Sequence, residues 1–74
     1  MGISLQKAVG VKVRDVIKRL EADGWYFVRT RGSHRQFKHP VKQGVVTVPG
    51  KLSKDVALGT LNNIWKQAQL QAED

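Results

Sequence analysis

The chain has 74 residues, 41% of them apolar, which is enough for one small core and too much for a disordered tail. It has no cysteines, excluding a disulfide framework and thiolate metal sites, and no apolar run as long as a membrane span. With 13 basic and 6 acidic residues the formal charge is +7, which points to a polyanionic partner.

Residues 1–11 read as a flexible lead-in to one folded domain over 12–70. They lack the apolar block of a secretory signal, so a cytoplasmic location is expected. Val13, Val16, Ile17 and Leu20 then recur at helical spacing, with Lys12, Arg14, Asp15, Lys18 and Arg19 off that face. The spacing predicts a helix over residues 12–23, stopped by Gly24 in a left-handed conformation.

"WYFVRT" (25–30) is aromatic and β-branched and reads as a strand. Its inward parity stays open, because Trp25 and Phe27 compete with Tyr26, Val28 and Thr30. Gly32 and Ser33 supply turn chemistry. "HRQFKH" (34–39) alternates around Phe37, so Arg35 and His39 share the core parity while His34, Gln36 and Lys38 face the other way. Pro40 to Gly44 make a second turn, and "VVTV" (45–48) is a third strand, stopped by Pro49-Gly50. Ser53 or Asp55 is the expected cap of a second helix with the stripe Leu58, Leu61, Ile64, Trp65 and Ala68. Gly59 inside it costs about 1 kcal/mol relative to alanine, and residues 71–74 are expected to fray.

The resulting order is α-β-β-β-α, an α+β fold. Three antiparallel strands form a meander, and both helices must cover its one apolar face. The other face is left to solvent, with His34, Gln36 and Lys38 on it. No acidic residue falls between Gly24 and Lys54, where Arg29, Arg31, Arg35, Lys38, Lys42 and Lys51 lie. That concentration favours a binding surface over general solubility.

The words "VIKRLEADGW" (16–25), "RTRGSHRQFKHP" (29–40), "GVVTVPG" (44–50) and "GTLNNIWKQAQL" (59–70) together resemble the HicA toxin family, mRNA interferases of bacterial type II toxin–antitoxin systems. Two departures stand out. Gly50 occupies a position where the family often has histidine, and "QAQL" lacks the family's glycine stop. The resemblance implies a fold similar to a double-stranded-RNA-binding domain. It implies endoribonucleolytic cleavage of mRNA with no metal or other cofactor, and a HicB-type antitoxin that covers the active surface. The histidine of the family's Gly-Ser-His step, held essential for toxicity, corresponds to His34.

Cleavage of this kind uses the 2′-hydroxyl of the RNA as nucleophile. Histidine suits the proton transfers, and cations suit the phosphate. Arg29, Arg31, Ser33, Arg35 and Lys38 are the expected RNA-contacting residues. Lys38 has the parity of His34, whereas Arg35 has the opposite one. His39 also has the opposite parity, which argues against it as the second proton-transfer group and against a His34–His39 metal pair. A competing reading is a non-catalytic RNA-binding module of the same fold. A third is a protein-interaction domain whose basic face meets only an acidic partner.

Overall fold

The computed structural model describes residues 10–70. They form helix α1 (Val13–Ala22), strands β1 (Tyr26–Arg31), β2 (His34–Lys38) and β3 (Val46–Pro49), and helix α2 (Leu58–Ala68). The strands pair antiparallel in the order β1-β2-β3, so the α+β, α-β-β-β-α architecture read from the sequence is the one observed. Most of the expected lead-in and the expected frayed end at 71–74 lie outside the described residues. The end of the lead-in is not loose, however: the carbonyl of Val11 accepts from Val56 N at 2.8 Å and Val11 packs on the core.

At the start of α1 the Lys12 amide donates to Asp15 Oδ2 at 3.2 Å, which satisfies one backbone donor beside the helix N-terminus. At its end Gly24 adopts φ 106°, and Gly24 N and Trp25 N donate to the carbonyls of Glu21 and Leu20, each at 3.0 Å. This left-handed stop turns the chain so that Trp25 drops into the core. At the start of α2 neither Ser53 nor Asp55 caps the helix. Ala57 stands at the N-cap with no side-chain bond, and Asp55 instead takes Lys12 Nζ at 2.6 Å. Both candidates sit upstream of the cap position, too early to reach the first-turn amides.

The core gathers Val13, Val16 and Leu20 of α1, Trp25, Phe37 of β2, Val46 and Val48 of β3, and Ile64, Trp65 and Ala68 of α2. Each large apolar side chain buried here contributes about 1.5–3 kcal/mol relative to exposure. Both helices therefore cover one sheet face. Leu58 departs from the expected stripe; it is 71% exposed, so the apolar face of α2 starts at Leu61. Arg19 lies over the Trp65 ring at 4.5 Å and joins the two helices. The outer edge of β3 is partly covered, because Thr47 N donates to Gln67 Oε1 of α2 at 3.1 Å.

The open parity of strand β1 is resolved by a bulge. Phe27 pairs with Phe37 and Arg29 with Gln36, leaving Val28 as an extra residue. Directly opposed residues of an antiparallel pair share a face. Phe27 therefore lies on the helix side, its ring edge-on to Phe37 at 6.0 Å. After the bulge, Arg29 and Arg31 lie on the open side. A regular strand would have sent both arginines to the face of Phe27.

Candidate active site

The β1–β2 hairpin closes through Gly32 and Ser33. Gly32 has φ 62° and Ser33 has a negative φ, the pattern of a tight turn that needs glycine at its first central position. The turn sets His34 at the first position of β2, opposite Arg31 on one side and Pro49 on the other. Gly50 N donates to the carbonyl of Ser33 at 3.2 Å, locking the end of β3 to the turn. His34 is thus an exposed side chain on a backbone held from both neighbouring strands.

Beside His34 lies an open depression of about 350 Å³. Ser33, His34 and Pro49 form its sheet side, and Lys54, Asp55 and Thr60 line it from the β3–α2 connection and the start of α2. Three backbone bonds fix that second wall, two against the start of α1 and one against Val11 just before it. Val13 N donates to Lys54 O at 2.9 Å, Arg14 N to Leu52 O at 3.1 Å, and Val56 N to Val11 O at 2.8 Å.

The open sheet face around His34 carries Arg29, Arg31, Gln36 and Lys38. Arg29 Nη1 donates to Gln36 Oε1 at 3.2 Å, which orients the guanidinium along the face. Lys38 shares the face, but four residues of strand separate it from His34 by about 13 Å. The register does not bring Arg35 to this group. Arg35 pairs with Val48 on the helix side, and its Nη1 donates to the carbonyl of Gly50 at 2.8 Å. Its role in the hairpin is to hold Gly50 from behind.

His39 is a structural residue. Its Nδ1 accepts from the amides of Val41 and Lys42, each at 3.0 Å, so the neutral ring carries its proton on Nε2. That proton is donated to the carbonyl of Asp23 at 2.6 Å. The ring also stands edge-on to Trp25, with centroids 5.2 Å apart. Lys42 Nζ completes the cluster, reaching Asp23 Oδ2 at 2.6 Å and the carbonyls of Ala68 and Gln69 at the end of α2, each at 3.2 Å. The Lys42 ammonium beside Asp23, the main cause, holds that carboxyl below its usual value of 3.8.

Sequence reasoning missed Lys54, Asp55 and Thr60 as neighbours of His34. They are at least 20 residues away along the chain and carry no periodic signal. Only the long-range pairing of the 50–57 connection with the start of α1 brings them there.

A family model described as the HicA toxin of bacterial toxin–antitoxin systems matches residues 13–70. The chain belongs to the HicA toxin family. The matched span runs from the first residue of α1 past the end of α2, so the HicA domain includes the hairpin, His34 and the whole depression. A search of curated proteins finds no match to the chain. Membership places the chain among the toxins of two-component toxin–antitoxin pairs. Among the described residues no helix is long and apolar enough to cross a membrane.

Proposed function

We propose that this HicA toxin is an endoribonuclease that cleaves mRNA in the cytoplasm, with His34 as the proton-transferring group. A HicB-type antitoxin neutralises it by covering the same face. The observation that supports this reading most is the position of His34. Among the described residues its ring, unlike that of His39, is not tied into the fold, and it stands beside a depression on a face bearing Arg29, Arg31 and Lys38.

The chemistry follows from that setting. The 2′-oxygen of a ribose bonds to the adjacent phosphorus as the bond from phosphorus to the 5′-oxygen breaks. The 2′-hydroxyl proton leaves to a base and the 5′-oxygen gains one, giving a 2′,3′-cyclic phosphate and a 5′-hydroxyl end. An imidazole is competent for either transfer. Arg29 and Arg31 hold backbone phosphates on the open face, and Lys38 holds one further along the strand. Ser33 adds a hydroxyl at the turn.

The test is to compare wild type and His34→Ala, as toxins in bacteria and as purified proteins on labelled RNA in EDTA. The expected result is normal folding of the variant with cleavage reduced at least about 100-fold. Equal cleavage by both proteins removes His34 from the mechanism. Tight RNA binding without any cleavage favours the non-catalytic module.

A further inference from the structure

We propose that the depression beside His34 is a phosphate-binding subsite for a polynucleotide backbone, and that Lys54 is its cation. This deepens the ribonuclease reading and rests on it for the identity of the substrate.

Lys54 does not hang from a loose loop. Its amide donates to Lys51 O at 3.0 Å and its carbonyl accepts from Val13 N at 2.9 Å, so the backbone is pinned on both sides. Its alkyl stem lies along Gly50. A Cβ placed on Gly50 would stand 3.4 Å from Lys54 Cδ and 3.9 Å from Lys54 Cβ. Gly50 is itself fixed, its amide held by Ser33 O and its carbonyl by Arg35. It also adjoins Pro49, the cross-strand partner of His34. The stem therefore runs over a rigid surface into the depression that His34 lines.

The charge there suits an anion. Asp55, the one carboxylate on the wall, is already paired with Lys12 Nζ at 2.6 Å. Among the described residues no carboxylate takes Lys54, and the first turn of α2 beside it carries no acidic side chain. Thr60, a half-buried residue with a hydroxyl, lines the same depression. A cation, a hydroxyl and a concave floor next to an imidazole are what a phosphodiester requires for binding and for in-place charge stabilisation. In the cleavage step the Lys54 ammonium faces the non-bridging oxygens, where negative charge builds as the 2′-oxygen bonds to phosphorus. Lys38, further along β2, cannot reach those oxygens.

Binding and cleavage are tested separately, on wild type, Lys54→Gln, Lys54→Arg and, as a control at an exposed position in the last turn of α2, Lys66→Gln. Binding uses a single-stranded oligodeoxynucleotide, which lacks the 2′-hydroxyl and cannot be cut. Its amide-resonance shifts in the protein are followed across a salt series. The expected result is shifts at His34, Gly50 and Thr60, and a log-affinity against log-salt slope shallower by about 0.7 in Lys54→Gln, the loss of one phosphate contact on a single strand. Lys54→Arg and Lys66→Gln keep the wild-type slope. Inorganic phosphate should shift the same resonances only at far higher concentration; saturation at or below the oligonucleotide concentration overturns the assignment to a backbone. On RNA, single-turnover cleavage by Lys54→Gln should fall at least about tenfold, with partial rescue in Lys54→Arg. An unchanged salt slope in Lys54→Gln, or no shift at Gly50 and Thr60, overturns the subsite. If those shifts and the slope change are seen but wild type cuts no RNA, the subsite stands and the ribonuclease reading fails.

Discussion

His39 Nε2 lies 2.6 Å from the backbone oxygen of Asp23 and ties the strand leaving the hairpin to the end of the first helix. The same ring accepts two amides through Nδ1, so one side chain satisfies three backbone groups. Its replacement by alanine removes these three bonds, and two of the groups, the Asp23 carbonyl and the Lys42 amide, are partly buried. His39→Ala should therefore lose about 2 kcal/mol of stability. For a domain of this size that lowers the melting temperature by about 10 °C. Thermal and urea melts check it, with His34→Ala as the counterpart. His34→Ala should melt like wild type and lose cleavage, whereas folded His39→Ala should keep it.

Gly24 is held to glycine for two separate reasons. Its φ of 106° strains any L side chain, and a Cβ there would come within 2.8 Å of His39 Nε2. Gly24→Ala should cost about 2–3 kcal/mol. The two causes are separable by a double-mutant cycle with His39→Ala. Without the imidazole only the backbone strain remains, so the cost of Gly24→Ala should fall. Strict additivity in urea melts would show that the clash contributes nothing.

The Asp23–Lys42 pair sets an acid limb of stability. Lys42 holds the folded-state carboxyl below its value of 3.8, so the unfolded chain takes up the proton first on acidification. The stabilisation is then fully present above pH 3.8 and is lost as the pH falls through the folded value. Urea midpoints measured from pH 6 to pH 2 should show this decline in wild type. In Asp23→Asn the part of the slope owed to this group should vanish, while the other carboxylates keep theirs.

The end of α2 offers a stabilising change. Gln69 takes the left-handed position at φ 56°, with Gln69 N and Leu70 N donating to Lys66 O and Trp65 O at 3.1 and 2.9 Å. This is the stop that glycine usually makes, at a conformational cost of about 1 kcal/mol for another residue. Gln69→Gly should raise stability by about 0.5–1 kcal/mol, read as a shift of the urea midpoint at unchanged slope. The Gln69 Nε2 contact to Gln43 O, at 3.5 Å, is too long to offset the gain.

Most of the architecture was legible because it rests on local signals. The Val13–Leu20 stripe, Gly24, the Gly32-Ser33 turn and the alternation around Phe37 each act within a few residues, and they fixed the face of His34. The parity of β1 was not legible, because a bulge at Val28 answers to pairing with Phe37 and Gln36 and leaves no mark in a single strand's sequence. The wall of the depression was hidden for a similar reason. Lys54 and Thr60 meet His34 only because Val13 and Val56 hold the 50–57 connection against α1. Asp55 looked like a helix cap by residue type, and the nearby Lys12 ammonium took it instead.

The bulge gives two arginines of similar sequence setting opposite roles. Arg29 is on the open face with Gln36, and Arg35 is behind the sheet holding the carbonyl of Gly50. Arg29→Ala should change stability by less than about 0.5 kcal/mol, since an exposed hydrogen bond between side chains contributes little. Its salt slope for single-stranded RNA should become shallower by about 0.7, one phosphate contact. Arg35→Ala should do the reverse. Losing a part-buried, charge-assisted bond should cost about 1.5–3 kcal/mol, with the salt slope unchanged in the fraction that stays folded. Urea melts and fluorescence anisotropy over a salt series check both. A shallower slope in Arg35→Ala would mean that its guanidinium reaches the RNA and that the register after Val28 does not sort the two arginines.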